Sequence, residues 1–339
     1  MLGEDKNKLE VVFFQRKPRR VGNYSVEFIF EDVRKRLEGR IRARLEVSPY
    51  ESSGLIKRLA STVHASLRQG QVNHVTGDVS FLGILLGKKR TINTILDCGF
   101  LNDSRGLKYA VLRFFWLYLP EKRAAYLTAI SEATKQDIIR HHRCDPDKIV
   151  VIPVAISDAF KRSDKAFNRE RPRILQLGTA PNKNIPRLAE ALRGLPCTLH
   201  IVGKRVPEYE VLLRENGIDH VYESNLSESE IIDRYISSDI VTLISTYEGF
   251  GMPILEGQAI GRPVITSRAF SMPEVAGDAA VTVDPEDVGE IRRGFERIIG
   301  DDKFREALVM KGFENVRRFN ADLIADQYLS LYRKVADGS

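Results

Sequence analysis

The sequence predicts an α/β protein built as two Rossmann-like, doubly wound parallel-sheet domains in tandem. Three observations lead there. The chain has 339 residues, more than the roughly 250–300 at which a single core stops growing. Short β-rich runs alternate with segments of helical character along both halves. In the second half those runs are nearly all apolar, as in Ile174-Leu175-Gln176-Leu177 and Ile240-Val241-Thr242-Leu243-Ile244. Strands covered by helices on both faces read that way.

In the first half, strands are expected at Glu10–Gln15, Ile41–Val47, Val72–Thr76, Thr91–Leu96, Tyr126–Ile130 and Ile149–Ile152. Helical segments lie between them at Ser25–Leu37, Leu55–Arg68 and Glu132–His141. The stretch Lys161–Arg173 is highly charged and poor in apolar residues, so it reads as a linker between domains at 1–165 and 166–339. Beyond it, strands are expected at Arg173–Gly178, Thr198–Gly203, His220–Glu223, Ile240–Ser245 and Pro263–Ser267. The intervening helices are Ile185–Arg193, Pro207–Glu215, Glu228–Ser238 and Pro253–Ile260. Ser227 with Glu230 makes a capping box, and Asn216-Gly217 and Ile260-Gly261 are helix stops. After Val283 the pattern is helical through Tyr332, with Leu323, Ile324, Tyr328 and Leu331 at helical spacing. Helices from about residue 320 are expected to pack back on the first domain.

Composition narrows the class. With 43% hydrophobic and 29% charged residues, neither a disordered chain nor a polytopic membrane protein fits. Three cysteines without a CxxC pair exclude a disulfide scaffold or zinc ribbon. The first twenty residues hold no signal-peptide core, and the longest apolar runs, Phe81–Gly87 and Phe114–Pro120, fall far below the roughly 20 residues of a spanning helix. A cytoplasmic protein is expected. The net charge of +6 is uneven: 30 Lys+Arg face 19 Asp+Glu through Lys165, and 22 face 27 beyond it. The basic clusters around Arg16–Arg20, Arg34–Arg36, Arg40–Arg44 and Lys88–Arg90 suit an anionic membrane surface or phosphates, or are solvated helix faces. Nucleic acid is not expected, because no helix-turn-helix or RNP motif accompanies the charge.

In open α/β sheets ligands bind beyond the carboxyl ends of strands, so the loops there carry the chemistry. The strongest follows Ser245: Thr246-Tyr247-Glu248-Gly249-Phe250-Gly251-Met252-Pro253-Ile254-Leu255-Glu256. Its glycines admit close approach of a ligand to backbone. A helix starting near Pro253 presents free N–H groups and a partial positive charge suited to phosphate. Glu248 and Glu256 would accept hydroxyls of a sugar and a ribose; alternatively this is a tight turn with Glu256 as an ordinary first-turn acid.

Glu248–Glu256 resembles the E-x7-E signature of retaining GT-B glycosyltransferases, specifically glycosyltransferase family 4 (group 1). The likeness continues through Gly257–Ser267, Met272–Ala280 and Val283-Asp284-Pro285, and covers essentially Arg173–Arg318. Ile130–Lys135 and Ile149–Pro153 are also similar to the family. The resemblance implies two domains facing across a cleft, an acceptor-side first domain and a second that holds a nucleotide-sugar donor. It assigns Glu248 to the transferred sugar, Glu256 to the ribose, and Gly249, Phe250, Gly251 and Met252 to sugar and phosphates.

Leu177-Gly178-Thr179-Ala180-Pro181-Asn182-Lys183-Asn184 matches the element where relatives place a basic pair against the diphosphate. Lys183 fits that role, with Thr179 beside it; Asn182 stands where relatives often have arginine. Gly203, Lys204 and Arg205 follow the next strand, as further donor contacts or as solvated loop residues. Gly22 and Asn23 occupy the position of the family's first glycine loop, or a plain turn. His74 is a core histidine or part of the acceptor side, and Asp78 is an acceptor-side residue or a helix cap. Where relatives carry a histidine, Thr94-Ile95-Leu96-Asp97 has leucine, leaving Asp97 as a sugar contact. Tyr109–Leu119 holds five aromatics, for core packing or a membrane-facing patch, and Leu55–Gly70 is a basic amphipathic candidate.

The expected activity is therefore transfer of a hexose from GDP-mannose or a UDP-sugar, with retention, to a glycan or lipid-diphosphate-linked glycan in polysaccharide or lipopolysaccharide assembly. No metal or other cofactor is expected. The chain would act in the cytoplasm, peripheral to the inner membrane face. The alternative is a non-catalytic nucleotide-sugar-binding subunit, suggested by Leu96 and Asn182.

Overall fold

The structure, a computed structural model, describes residues 8–17, 25–52, 54–77 and 79–338. Two units make up the chain: Met1–Ala155 with Ala321–Ser339, and Ile156–Asn320.

The first unit runs β1 (Glu10–Gln15), α1 (Ser25–Arg36), β2 (Arg42–Val47), α2 (Leu55–Ser66), β3 (Val72–Val75), β4 (Thr91–Ile95), α3 (Gly99–Asn102), α4 (Gly106–Arg113), α5 (Leu119–Arg123), β5 (Tyr126–Ala129), α6 (Glu132–His142) and β6 (Ile149–Val151). Its six strands form a parallel sheet in the order β2-β1-β3-β4-β5-β6. Val11-Val12-Phe13-Phe14 shows why the sheet is covered twice. Successive side chains of a strand point to opposite faces. Val11 and Phe13 join Phe30, Ile324, Tyr328 and Tyr332 on one face, while Val12 and Phe14 join Ala65, Phe81 and Leu82 on the other.

Much of the first face comes from the far end of the sequence. The last helix, Ala321–Ala336, buries Ile324, Tyr328, Leu331, Tyr332 and Val335, a 3.6-residue stripe, whereas Leu323 stays about half exposed. In the aromatic stretch, Leu117 is buried and Trp116 packs edge-on against Phe81. Phe114 and Tyr118, on a π turn over Phe114–Tyr118, remain partly exposed.

The second unit runs β7 (Arg173–Leu177), α7 (Ile185–Leu192), β8 (Thr198–Val202), α8 (Pro207–Glu215), β9 (Asp219–Glu223), α9 (Glu228–Ser237), β10 (Ile240–Leu243), α10 (Met252–Ile260), β11 (Val264–Ser267), α11 (Met272–Ala276), β12 (Val281–Val283), α12 (Val288–Gly300) and α13 (Asp302–Asn315); the terminal helix Ala321–Ala336 is α14. Its sheet is also wholly parallel, in the order β12-β11-β10-β7-β8-β9. The Ser227–Glu230 capping box forms at the start of α9. β12 has no counterpart in the sequence reading, because three residues give no period to detect.

The charged stretch 161–173 is not a free linker. Asp239, almost fully buried, accepts from Lys165 Nζ, from Asn168 N at 3.0 Å and from Arg173 N at 2.8 Å. Buried Arg262 donates to Ser163 O at 2.9 Å, and Ser163 N donates to Ile260 O at 3.1 Å. These bonds strap the stretch onto the second unit, so the division falls after Ala155 rather than at 165. Among the described residues, no helix is long and apolar enough to cross a membrane.

Candidate functional site

The second sheet reverses its winding between β7 and β10, which pair directly (Thr242 beside Gln176). Connections leave these neighbours in opposite directions and open a crevice outside their carboxyl ends. The Lys183 turn follows β7, and the Glu248 loop follows β10.

The first turn is shaped by backbone. Gly178 has φ +84°, and a Cβ there would sit 2.9 Å from Lys183 Cε; glycine lets the chain fold back under the lysine. Pro181–Lys183 makes one 3-10 turn, and Asn184 enters α7 in the left-handed conformation. Asn184 Nδ2 donates to Pro285 O at 2.7 Å. Thr179 is buried and its hydroxyl donates to Lys204 O at 2.7 Å. A Cβ on Gly203 would approach Thr179 Cγ2 to 3.1 Å. Gly203 therefore allows the two strand ends to pack; the Lys204 side chain is exposed, and Arg205 pairs with Glu210 at 2.7 Å.

Glu248 Oε1 is the meeting point. It accepts from Lys183 Nζ at 2.6 Å, from Ser245 Oγ at 2.6 Å and from Asn182 Nδ2 at 3.4 Å. Asn182, in the arginine position, is a staple: its Nδ2 donates to Tyr247 O at 2.8 Å and its O accepts from Thr246 N at 2.8 Å. Buried Ser271 binds the far side of the loop, its hydroxyl lying 2.8 Å from both Glu248 O and Phe250 O. Beside them, Tyr247 and Phe270 stack edge to face at 4.3 Å. Phe270 has φ +47° and is 39% exposed, a strained setting for a bulky residue.

Gly251, at φ +109°, caps α10, whose first residue is Met252, with Pro253 second. Gly249 lies in the loop with half-buried backbone. The Phe250 ring is buried against Phe319, and its carbonyl accepts from Ser271 Oγ. Glu256 lies one turn into α10 and takes a hydrogen bond from the hydroxyl of fully buried Tyr235. Burial pushes its carboxyl up to about 7, against the opposing pull of the Tyr235 hydroxyl and the Lys183 charge. Glu256 is thus more than a first-turn acid, and Lys183 acts electrostatically on both carboxylates. A cation, a helix N-terminus and two carboxylates in one crevice suit a phosphorylated, hydroxyl-rich ligand.

In the first unit the outcome is different. His74 is fully buried: Nδ1 lies 2.8 Å from Tyr332 Oη and Nε2 2.7 Å from Thr94 Oγ1, among the rings of Phe13, Phe30 and Tyr328. Burial pushes its pKa down to about 3. It is a core histidine, and its acceptor-side reading is corrected. Asp97, after β4, accepts from Gly99 N at 2.9 Å at the start of α3. Gly22, Asn23 and Asp78 lie outside the described residues. Sequence reasoning missed Ser245, Ser271 and Tyr235, whose hydroxyls orient the acidic loop. Tyr235 and Ser271 lie on other elements and carry no local signal; Ser245 precedes Glu248 by three residues and was legible as a turn-type hydroxyl.

Known proteins resemble the chain in sequence and in fold. The family model for glycosyl transferases group 1 matches residues 157–314. The chain is 30% identical over 231 residues to O-antigen chain mannosyltransferase B of Escherichia coli, covering 62% of this chain and 61% of that protein. It is 29% identical over 245 residues to MMP alpha-(1->4)-mannosyltransferase of Mycolicibacterium hassiacum, covering 67% and 59%. The matches thus span about three fifths of these relatives' length. Sucrose-phosphate synthase of Thermosynechococcus elongatus superposes with a TM-score of 0.78 at 15% identity, over 98% of this chain and 100% of that one. The second unit is a glycosyl transferases group 1 domain, and the chain that carries it has the GT-B fold.

Proposed function

We propose that the chain is a glycosyltransferase that moves a hexose from a nucleoside-diphosphate sugar to a hydroxyl of a growing glycan, with retention of configuration. The observation that carries this reading is the Lys183–Glu248 pair, held by loops from the two strands that flank the switch point. Bound donor would place its diphosphate against Lys183 and the α10 N-terminus, its sugar against Glu248 and the 249–252 backbone, and its ribose against Glu256. As the sugar–phosphate bond breaks, negative charge grows on the leaving diphosphate. Preset cations and N–H groups stabilise that charge, each worth on the order of 10²–10³ in rate. The acceptor hydroxyl bonds to the anomeric carbon on the face the phosphate leaves, and its proton passes to the departing phosphate oxygen. The mechanism uses no metal or other cofactor, so EDTA leaves turnover unchanged.

The mannosyltransferase names of both curated relatives make GDP-mannose the first donor to test, ahead of UDP-sugars. An O-antigen relative supports a glycan acceptor, free or lipid-diphosphate-linked, with the first unit on the acceptor side and the reaction in the cytoplasm at the inner membrane face. Thermal shift against GDP- and UDP-sugars identifies the donor, since ligand at 100 Kd stabilises by about 2.7 kcal/mol. Transfer of labelled sugar and the anomeric configuration of the product then test the chemistry. Donor binding without turnover, unaffected by Glu248→Ala, would instead establish a non-catalytic nucleotide-sugar-binding subunit.

A further inference from the structure

The helix α2 is built inside out. It buries Ser61, Thr62 and Ala65, with Ser61 Oγ 2.9 Å from Ser48 Oγ and Thr62 Oγ1 donating to Phe81 O at 3.4 Å. Its aliphatic residues face water: Leu55 is 77% exposed, Ile56 84%, Leu59 61%, Val63 45% and, just past its end, Leu67 78%. At 3.6 residues per turn these five fall within about 120° of the helix circumference. A soluble helix normally shows the opposite pattern.

A second apolar stripe adjoins it. Leu107, Val111, Phe114 and Tyr118, at spacings of four, three and four, are all substantially exposed. Trp116, between the last two, lies under the Arg58 guanidinium of α2 at 4.9 Å, which joins the stripes within one unit. Their charge is mainly positive, although Arg68 pairs with Glu46 at 3.4 Å. No Asp or Glu stands between residues 54 and 77, where Lys57, Arg58 and Arg68 do. Arg105, Lys108, Arg113 and Lys122 accompany the second stripe; of the acids near it, Glu121 is buried against Lys148 and Lys122, and Asp103 is exposed at its start.

We propose that this double stripe docks the first unit on an anionic lipid bilayer. Aliphatic and aromatic side chains enter the headgroup–acyl boundary, and the surrounding cations meet lipid phosphates. Charge complementarity selects this occupant: an exposed apolar face on which Lys57, Arg58, Arg105, Lys108 and Arg113 outnumber the exposed acids at its edges, Glu51 and Asp103, matches an anionic headgroup layer. The inference does not rest on the glycosyl-transfer reading.

Flotation of the full chain with vesicles tests it. Binding is expected to vesicles of phosphatidylcholine with phosphatidylglycerol, to weaken as salt rises, and to be slight on phosphatidylcholine alone. The Leu55→Ser/Ile56→Ser/Leu59→Ser variant should lose at least about tenfold in partition, as should Lys57→Glu/Lys108→Glu, both with unchanged circular dichroism. Trp116 is the one tryptophan of the chain, so quenching of its emission by brominated lipid reads docking in the unaltered protein. Equal binding to neutral vesicles, undiminished binding by the triple variant, or absence of quenching would overturn the proposal. So would a dimer, seen by sedimentation, that the triple variant dissociates while vesicle binding is absent.

Discussion

Lys183 Nζ lies 2.6 Å from Glu248 Oε1, although 65 residues separate them. Each is poised by its own loop, and Asn182 ties the loops together at Thr246 N and Tyr247 O. Lys183→Ala should lower kcat/KM for sugar transfer by on the order of 10²–10³, with little change in fold by circular dichroism. Glu248→Gln keeps the shape and removes the charge; it should lower kcat more than it raises donor KM. Steady-state kinetics with labelled donor checks both.

The buried carboxyl of Glu256 should give stability a pH dependence. Its native pKa, near 7, is raised by burial above the ordinary value of 4.5. The native state therefore holds this proton more tightly than the unfolded chain. The stabilisation is complete below pH 4.5 and lost as pH climbs through 7. Urea unfolding across pH 5–8 should show a decline that Glu256→Gln flattens. Tyr235→Phe removes a bond that lowers this pKa, so the decline should move to higher pH.

The His74 network should respond in the other direction. Its native pKa is depressed to about 3 from 6.5, so its contribution is complete above pH 6.5 and falls away as pH drops below it. Tyr332→Phe leaves Nδ1 unpaired in the core and should cost about 1–3 kcal/mol of stability in denaturant titration. Donor binding to the second unit should stay unchanged.

Asp239 should act as a buckle. Asp239→Ala strands Asn168 N, Arg173 N and the Lys165 ammonium, and should cost about 3–5 kcal/mol. Limited trypsinolysis should then cut at Lys161, Arg162 or Lys165 well before the unaltered chain is cut.

Phe270 holds a left-handed backbone beside Tyr247. Glycine adopts that conformation without strain, so Phe270→Gly should cost less stability than loss of an aromatic contact ordinarily does, or none. Any fall in transfer rate would then report the ring itself. Melting temperature and kcat measured together separate the two.

The sequence by itself determined the two parallel sheets, because strands buried on both faces must be apolar at nearly every position, as Ile240–Leu243 and Val11–Phe14 are. It also made the acidic loop legible, since Gly251, Pro253 and the two glutamates lie within nine consecutive residues and need no distant partner to be seen. What it left open depends on residues far apart in the chain. Whether His74 faces a ligand or the core was decided by Tyr332, 258 residues away, and whether 161–173 is free or strapped by Asp239 and Arg262. The partners of Glu248 and Glu256, namely Lys183 and Tyr235, meet them only once β7 and β10 are neighbours and α9 lies beside α10. Local patterning records which face of an element is apolar; it does not record what that face meets. α2 makes the same point from the other side: its sequence shows a basic amphipathic segment, but only the fold shows that the aliphatic face meets solvent.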